Sequence, residues 1–230
     1  MISLEKFEKI LGVAFRDKNL LTTSLTHRSY LNENPVASGA NNERLEYLGD
    51  AVLELVITEY VYEKFPEKPE GDLTSLRASL VNANILGDVA SSLGFNDFLL
   101  LSRGEARDVG RARLYILANA FEAVVGAIYL DQGYDTVKNF ILKVLVPLIP
   151  EIMEKKLYKD AKSLFQEEAQ ERVGTTPNYE VLKEWGPDHD RHFVIGVYLG
   201  RDLIAEGEGP SKQDAQQQAA EAALKAKGWG

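Results

Sequence analysis

The chain has 230 residues, a formal net charge of −9, 45% apolar residues and no cysteine. The apolar share supports a folded core and excludes wholesale disorder; the lack of cysteine excludes disulfides, thiolate metal sites and a cysteine nucleophile. Bulk charge alone argues against a nucleic-acid binder, because neutralising phosphates takes lysine and arginine.

The opening "MISLEKFEKIL" lacks the apolar run of a signal peptide. Its Leu4, Phe7, Ile10 and Leu11 fall at helical spacing, with Ser3 as a cap and Gly12 as a stop. "DKNLLTTSLTHRSYL" repeats the pattern, "ENPVASGAN" reads as a loop, and a long helix is predicted over 42–64. Further helical patterns cover 72–82, 84–93, 112–131 and 134–154. The late apolar stretch "FILKVLVPLIPEIM" is broken by Lys143, Pro147 and Pro150 and is too short to span a bilayer. A cytoplasmic protein without a membrane partner is the expectation.

After a charged segment, "EKKLYKD", the pattern changes. "AKSLFQEEAQERVG" is a helix and "NYEVLKEW" a strand candidate. "RHFVIGVYLG" alternates Phe193, Ile195, Val197 and Leu199 at period two, as a half-buried strand does. "LIAEGEG" is a third strand, and an alanine-rich helix follows with Ser211 as its cap. The predicted fold is a multidomain chain: an all-α domain over 1–150, a linker over 151–157 and a small α+β unit (α-β-β-β-α) over 158–228.

Within the long helix, Glu43, Glu46, Asp50 and Glu54 fall on one face, with Leu45, Leu48, Val52 and Leu55 as the buried face. On one amphipathic helix such a stripe is most simply a solvated face. Gly49 points the other way, since a glycine inside a helix costs about 1 kcal/mol against alanine and suggests a close approach. The later helix "YILANAFEAVVGAIYL" is apolar nearly all round except for Asn119 and Glu122. A buried carboxylate needs compensation, and a cation shared with the first helix would provide it. Glu46, Asp50 and Glu122 with the Asn119 carbonyl make an all-oxygen set suited to Mg²⁺ or Mn²⁺.

"NERLEYLGDAVL" and "ILANAFEAVVGAIYLD", together with "LTHRSY", "EGDLTSLRASLV" and "RGE" in that order, resemble the ribonuclease III family of double-stranded RNA endonucleases. "GPDHDRHF" and "PSKQDAQQQAA" resemble the double-stranded RNA-binding domain that follows its nuclease domain. The resemblance implies Mg²⁺-dependent hydrolysis of duplex RNA to 5′-phosphate and 3′-hydroxyl ends with two-nucleotide 3′ overhangs. It also implies a homodimer, processing of ribosomal and messenger RNA precursors, and no small-molecule cofactor. Its metal-binding acids carry over to Glu46, Asp50 and Glu122, with Asp50 and Glu122 as the catalytic pair. At the fourth position the family usually has Asp and this chain has Asn119, which raises a second reading: a duplex-RNA-binding protein with impaired catalysis. A helical interaction scaffold is the third.

The resemblance makes Glu43 and Glu70 auxiliary acids and places Tyr47 at the dimer interface. It assigns Gln166, Gln170, His189 and Lys212 to RNA. Gln213 stands where a second lysine is common. Arg103, Arg107, Arg111 and Arg113 form a basic stretch, either phosphate contacts or a solvated loop. His27 reads as structural.

Overall fold

Apolar side chains at three- and four-residue spacing give the first part of the chain a series of helices, and the computed structural model describes residues 3–34, 39–154, 158, 160–187 and 191–229. The helices are α1 (Leu4–Leu11), α2 (Lys18–Ser24), α3 (Arg28–Glu33), α4 (Glu43–Lys64), α5 (Glu70–Val81), α6 (Ala83–Ser92), α7 (Arg111–Gln132), α8 (Tyr134–Leu145) and α9 (Ile149–Glu154). They belong to a compact unit, Met1–Tyr158; a second unit spans Lys159–Gly230.

Local chemistry sets the breaks. Gly12 ends α1 in the left-handed region at φ 72°. Ser3 flanks that helix but does not cap its backbone; its hydroxyl donates to Glu5 instead. The pattern read as one helix over "DKNLLTTSLTHRSYL" is split at Thr26, which forms a parallel bridge with Leu100. The stretch read as one helix over 134–154 is interrupted by a 3₁₀ turn, Val146–Leu148, at Pro147, because proline cannot donate the helical hydrogen bond. Residues 151–154, expected in the linker, finish α9, and Ile152 is buried in the core.

α7 forms the centre of this unit, with Leu117, Ala120, Phe121, Val124 and Ile128 almost fully buried. Among the described residues it alone is long and apolar enough to cross a membrane, and 56% of that stretch is buried within the protein. Phe121 links Phe95 and Phe140 at ring distances of 6.1 and 5.8 Å; burying each such ring contributes about 1.5–3 kcal/mol.

The second unit runs α10 (Ala161–Val173), β1 (Asn178–Trp185), β2 (His192–Leu199), β3 (Asp202–Gly209) and α11 (Lys212–Lys227). Its sheet is antiparallel in the order β1-β2-β3. Ile195 and Val197 face inward, as their alternation predicts. The buried alanines Ala215, Ala219, Ala220 and Ala223 let α11 lie close to the sheet. A Cβ on Gly207 would come within 2.1 Å of the Ala219 nitrogen. Ser211 caps α11 by accepting from the Asp214 N–H, as expected. Trp229 stacks on buried Phe165 at 5.5 Å, and Trp185 stacks on His192 at 5.6 Å.

Candidate active site

The acids of α4 and α7 meet because two glycines let the helices touch backbone to backbone. A Cβ on Gly49 would lie 1.7 Å from the Glu122 carbonyl oxygen, and one on Gly126 would lie 2.3 Å from that of Leu45. No residue with a side chain fits at either point. Gly49 is the point of close approach that a glycine inside a helix suggests; Gly126, inside an apolar helix, carries the same signal and was not foreseen. Glu46 and Asp50 flank Gly49 on α4, while Glu122 is at the contact on α7 with Asn119 one turn earlier.

The electrostatics record this meeting. Burial, then the charges of Asp50 and Glu46, push the Glu122 carboxyl up to about 7. Burial, then Glu43 and Asp50, raise Glu46 as well. Glu46, Asn119 and Glu122 are half-buried and Asp50 is exposed. Among the described residues, no three His, Asp or Glu side chains converge closely enough to hold an ion. The acids share one locality and raise one another's pKa without converging into a closed cage.

The rest of the acidic stripe has other partners. Glu54 pairs with Arg77 of α5 at 2.8 Å, a tie not foreseen from sequence. Glu43 pairs with Arg28 at 3.6 Å on the surface. Glu70 accepts from Thr74 and borders a pocket with Thr58, Tyr62 and Arg77. That lies ~18–24 Å along α4 from Glu46 at 1.5 Å per residue, so the structure does not bring Glu70 to the cluster within one chain. His27 is structural: its ring accepts from the Ser29 N–H and caps α3, and burial above all lowers its pKa.

Leu55, expected in the buried face of α4, is 56% exposed, and Tyr47 is 84% exposed. The helix is too long for one apolar stripe at heptad-like spacing to stay inside, and Leu53, Val56 and Ile57 take the interior instead. Beside Tyr47 lies a pocket of about 680 Å³ lined by Leu20, Leu45, Leu48 and Leu130.

In the second unit Gln166 and Gln170 are exposed one turn apart on α10 and line a groove with Glu167 and Glu171. Lys212 opens α11, exposed, with its ammonium 5.7 Å from the centre of the Phe193 ring. His189 lies outside the described residues. Of the basic stretch, Arg113 turns inward and donates to Asn96 at 2.8 Å.

Residues 17–149 match the family described as Ribonuclease-III-like, and residues 161–227 match the double-stranded RNA binding motif. A Ribonuclease 3 of a Nitratiruptor species is 47% identical over 98% of this chain and 97% of its own length. A Ribonuclease 3 of Pelotomaculum thermopropionicum is 48% identical over 93% of this chain and 89% of its own. The solved nuclease domain of ribonuclease III from Campylobacter jejuni superposes with a TM-score of 0.58 at 43% identity, covering 64% of this chain and 99% of that one. With its helical unit and its α-β-β-β-α unit each matched in order, the chain belongs to the ribonuclease III family of double-stranded RNA endonucleases.

Proposed function

We propose that the chain hydrolyses phosphodiesters in duplex RNA with a divalent metal ion, Mg²⁺ or in its place Mn²⁺. The products are 5′-phosphate and 3′-hydroxyl ends with two-nucleotide 3′ overhangs, and the substrates are ribosomal and messenger RNA precursors in the cytoplasm. The observation that supports this reading is the α4–α7 crossing, where the Gly49 backbone meets that of Glu122 and the charges of Asp50 and Glu46 reach the Glu122 carboxyl; Asn119 is one turn before Glu122 on the same helix. All four offer hard oxygen donors, the chemistry that Mg²⁺ selects. Burial and then the charges of neighbouring carboxylates raise two of the acids, and a cation would offset both effects, so the residues fit one. Bound there, the ion would act as a Lewis acid toward phosphate and lower the pKa of water.

The side chains divide the remaining work. Glu46 and Glu122, half-buried, would hold the ion; Asp50, exposed at the rim, would hold it or orient the attacking water. Asn119 keeps the shape of a ligand and removes one negative charge. Glu43 borders Glu46 and tunes its charge, and Glu70 would have to serve away from this cluster. Gln166 and Gln170 would meet one minor groove and His189 the next. Lys212 would meet phosphate at a helix N-terminus.

A homodimer fits the same surface. Exposed Tyr47 and the largely apolar pocket that it borders would serve as the two halves of a self-complementary contact, each ring entering the other copy's pocket. Two copies would supply one site per strand. The Campylobacter jejuni nuclease domain is described as having a region involved in dimer formation.

Incubating a long RNA duplex with the protein in Mg²⁺ and in EDTA tests the reading. Staggered fragments are expected with the metal alone. Tight duplex binding without cleavage in Mg²⁺ would favour the second reading, a binding protein impaired by Asn119.

A further inference from the structure

From residue 160 to 230 the chain has 13 acidic and 8 basic residues, a net charge of −5, an odd balance for a unit that grips phosphates. Strand register places part of that charge. Ile195 and Val197 point to the helices, so Val194, Gly196 and Tyr198 point the other way. Opposite Gly196 stand Glu180 on β1 and Glu206 on β3; opposite Val194 stand Lys183 and Glu208; opposite Tyr198 stands Leu203. The outer face of the sheet therefore carries three carboxylates and one lysine along its margins.

Its middle is apolar. A Cβ on Gly196 would meet Leu203 Cδ1 at 2.8 Å, Leu182 Cδ1 at 3.0 Å and Tyr198 Cε2 at 3.1 Å. Three side chains thus lean over the glycine and join into one strip along β2. Leu182 is 37% and Leu203 45% exposed. The Trp185–His192 stack closes one end, with the rings 15° from parallel and Trp185 45% exposed. An apolar strip with a polar rim is the make-up of a docking surface rather than of idle surface.

We propose that this outer face docks a cationic segment of another protein, in which lysine or arginine flanks leucine- or valine-like side chains. Charge selects that occupant. Duplex RNA would meet Glu180, Glu206 and Glu208 as like charges. A second copy of this face would bring the same acids against themselves. A basic segment pairs with both margins while its apolar side chains cover Leu182, Tyr198 and Leu203. Gln166, Gln170 and Lys212 belong to the helix layer behind the sheet, so RNA and the segment would bind together. The acidity of the unit then serves a second partner on the face that RNA does not use.

The test is anisotropy of a dye-labelled peptide alternating lysine and leucine, titrated with the full-length protein. Saturable binding is expected, with peptides alternating glutamate and leucine or lysine and serine about tenfold weaker or worse. Glu206→Lys/Glu208→Lys and, separately, Leu203→Ser should each weaken it about tenfold while duplex cleavage and melting temperature hold. Glu67→Lys/Asp97→Lys, which reverses exposed acids in the first unit, should leave it unchanged. Duplex RNA added in EDTA should not displace the peptide, and sedimentation should show the same oligomer for every variant. Equal weakening by the control pair, or none by the sheet variants, overturns the proposal. Displacement by RNA would assign the face to RNA, and a changed oligomer would assign it to a second copy; either overturns it.

Discussion

Glu122 is half-buried beside two other acids, and its proton is held up to about 7 against an ordinary 4.5. Between those values the folded chain binds more protons than the unfolded one, so stability falls as pH rises from about 4.5 to about 7 and then levels. Melting temperatures in EDTA across that interval should show the decline, and Glu122→Gln should make it shallower, leaving the share of Glu46, which is raised as well. The same substitution should cost cleavage more than about 100-fold while duplex binding holds. A decline as steep in the mutant as in the parent would move the effect to another group. Asn119 gives the companion experiment. Asn119→Asp adds a carboxylate, so in EDTA it should melt lower, and with Mg²⁺ it should recover more than the parent and reach half-maximal cleavage at less metal. Superimposed curves would mean that residue 119 does not face the ion. The meeting of Glu122 with the α4 acids was legible in the sequence because Glu122 interrupts an apolar helix. The Arg77–Glu54 pair was not, since nothing local tells which acid a distant arginine will meet.

The crossing of α4 and α7 gives an element-level expectation opposite to the usual one. Glycine to alanine inside a helix ordinarily stabilises by up to about 1 kcal/mol. Gly49→Ala should instead destabilise by about 3 kcal/mol or more, because its Cβ would be driven into the Glu122 backbone. Gly71→Ala in α5, where nothing lies within 4 Å of the added carbon, should follow the ordinary rule. Chemical denaturation of the two variants in parallel checks both signs. Helix spacing and strand alternation made most elements readable, and capping residues such as Ser211 fixed their ends. Two things were less readable. The break at Pro147 lies within an apolar pattern that continues into α9. On α4, periodicity marks an apolar residue such as Leu55 without telling whether its face turns to the core or outward.

For the whole molecule, the exposed ring of Tyr47 and its neighbouring pocket imply that dimer and activity decline together. Tyr47→Ala should raise the dimer dissociation constant by about tenfold or more, as loss of a central aromatic anchor does, and sedimentation at a series of concentrations reads it directly. A dimer of parental strength would place the contact elsewhere. On the RNA side, Gln213, exposed beside Lys212, offers a gain of function. Gln213→Lys should tighten duplex binding and steepen its log–log salt dependence by about one phosphate contact; an unchanged slope would show that this position does not face the backbone. Both residues became interpretable through the family resemblance, since an exposed tyrosine and a surface glutamine have no signature of their own.

The placement of the ring systems also decides what light can report. The chain's 2 tryptophans, stacked on Phe165 and on His192, are both in the second unit. The tyrosines concentrate in the first unit, from Tyr30 to Tyr158, with Tyr179 and Tyr198 the exceptions. Emission excited at the red edge of the absorption band therefore comes from the second unit, which carries the RNA-binding motif, and from no tryptophan of the first. A denaturant titration followed that way records the opening of that motif, and the helical unit can lose its fold without altering the signal directly.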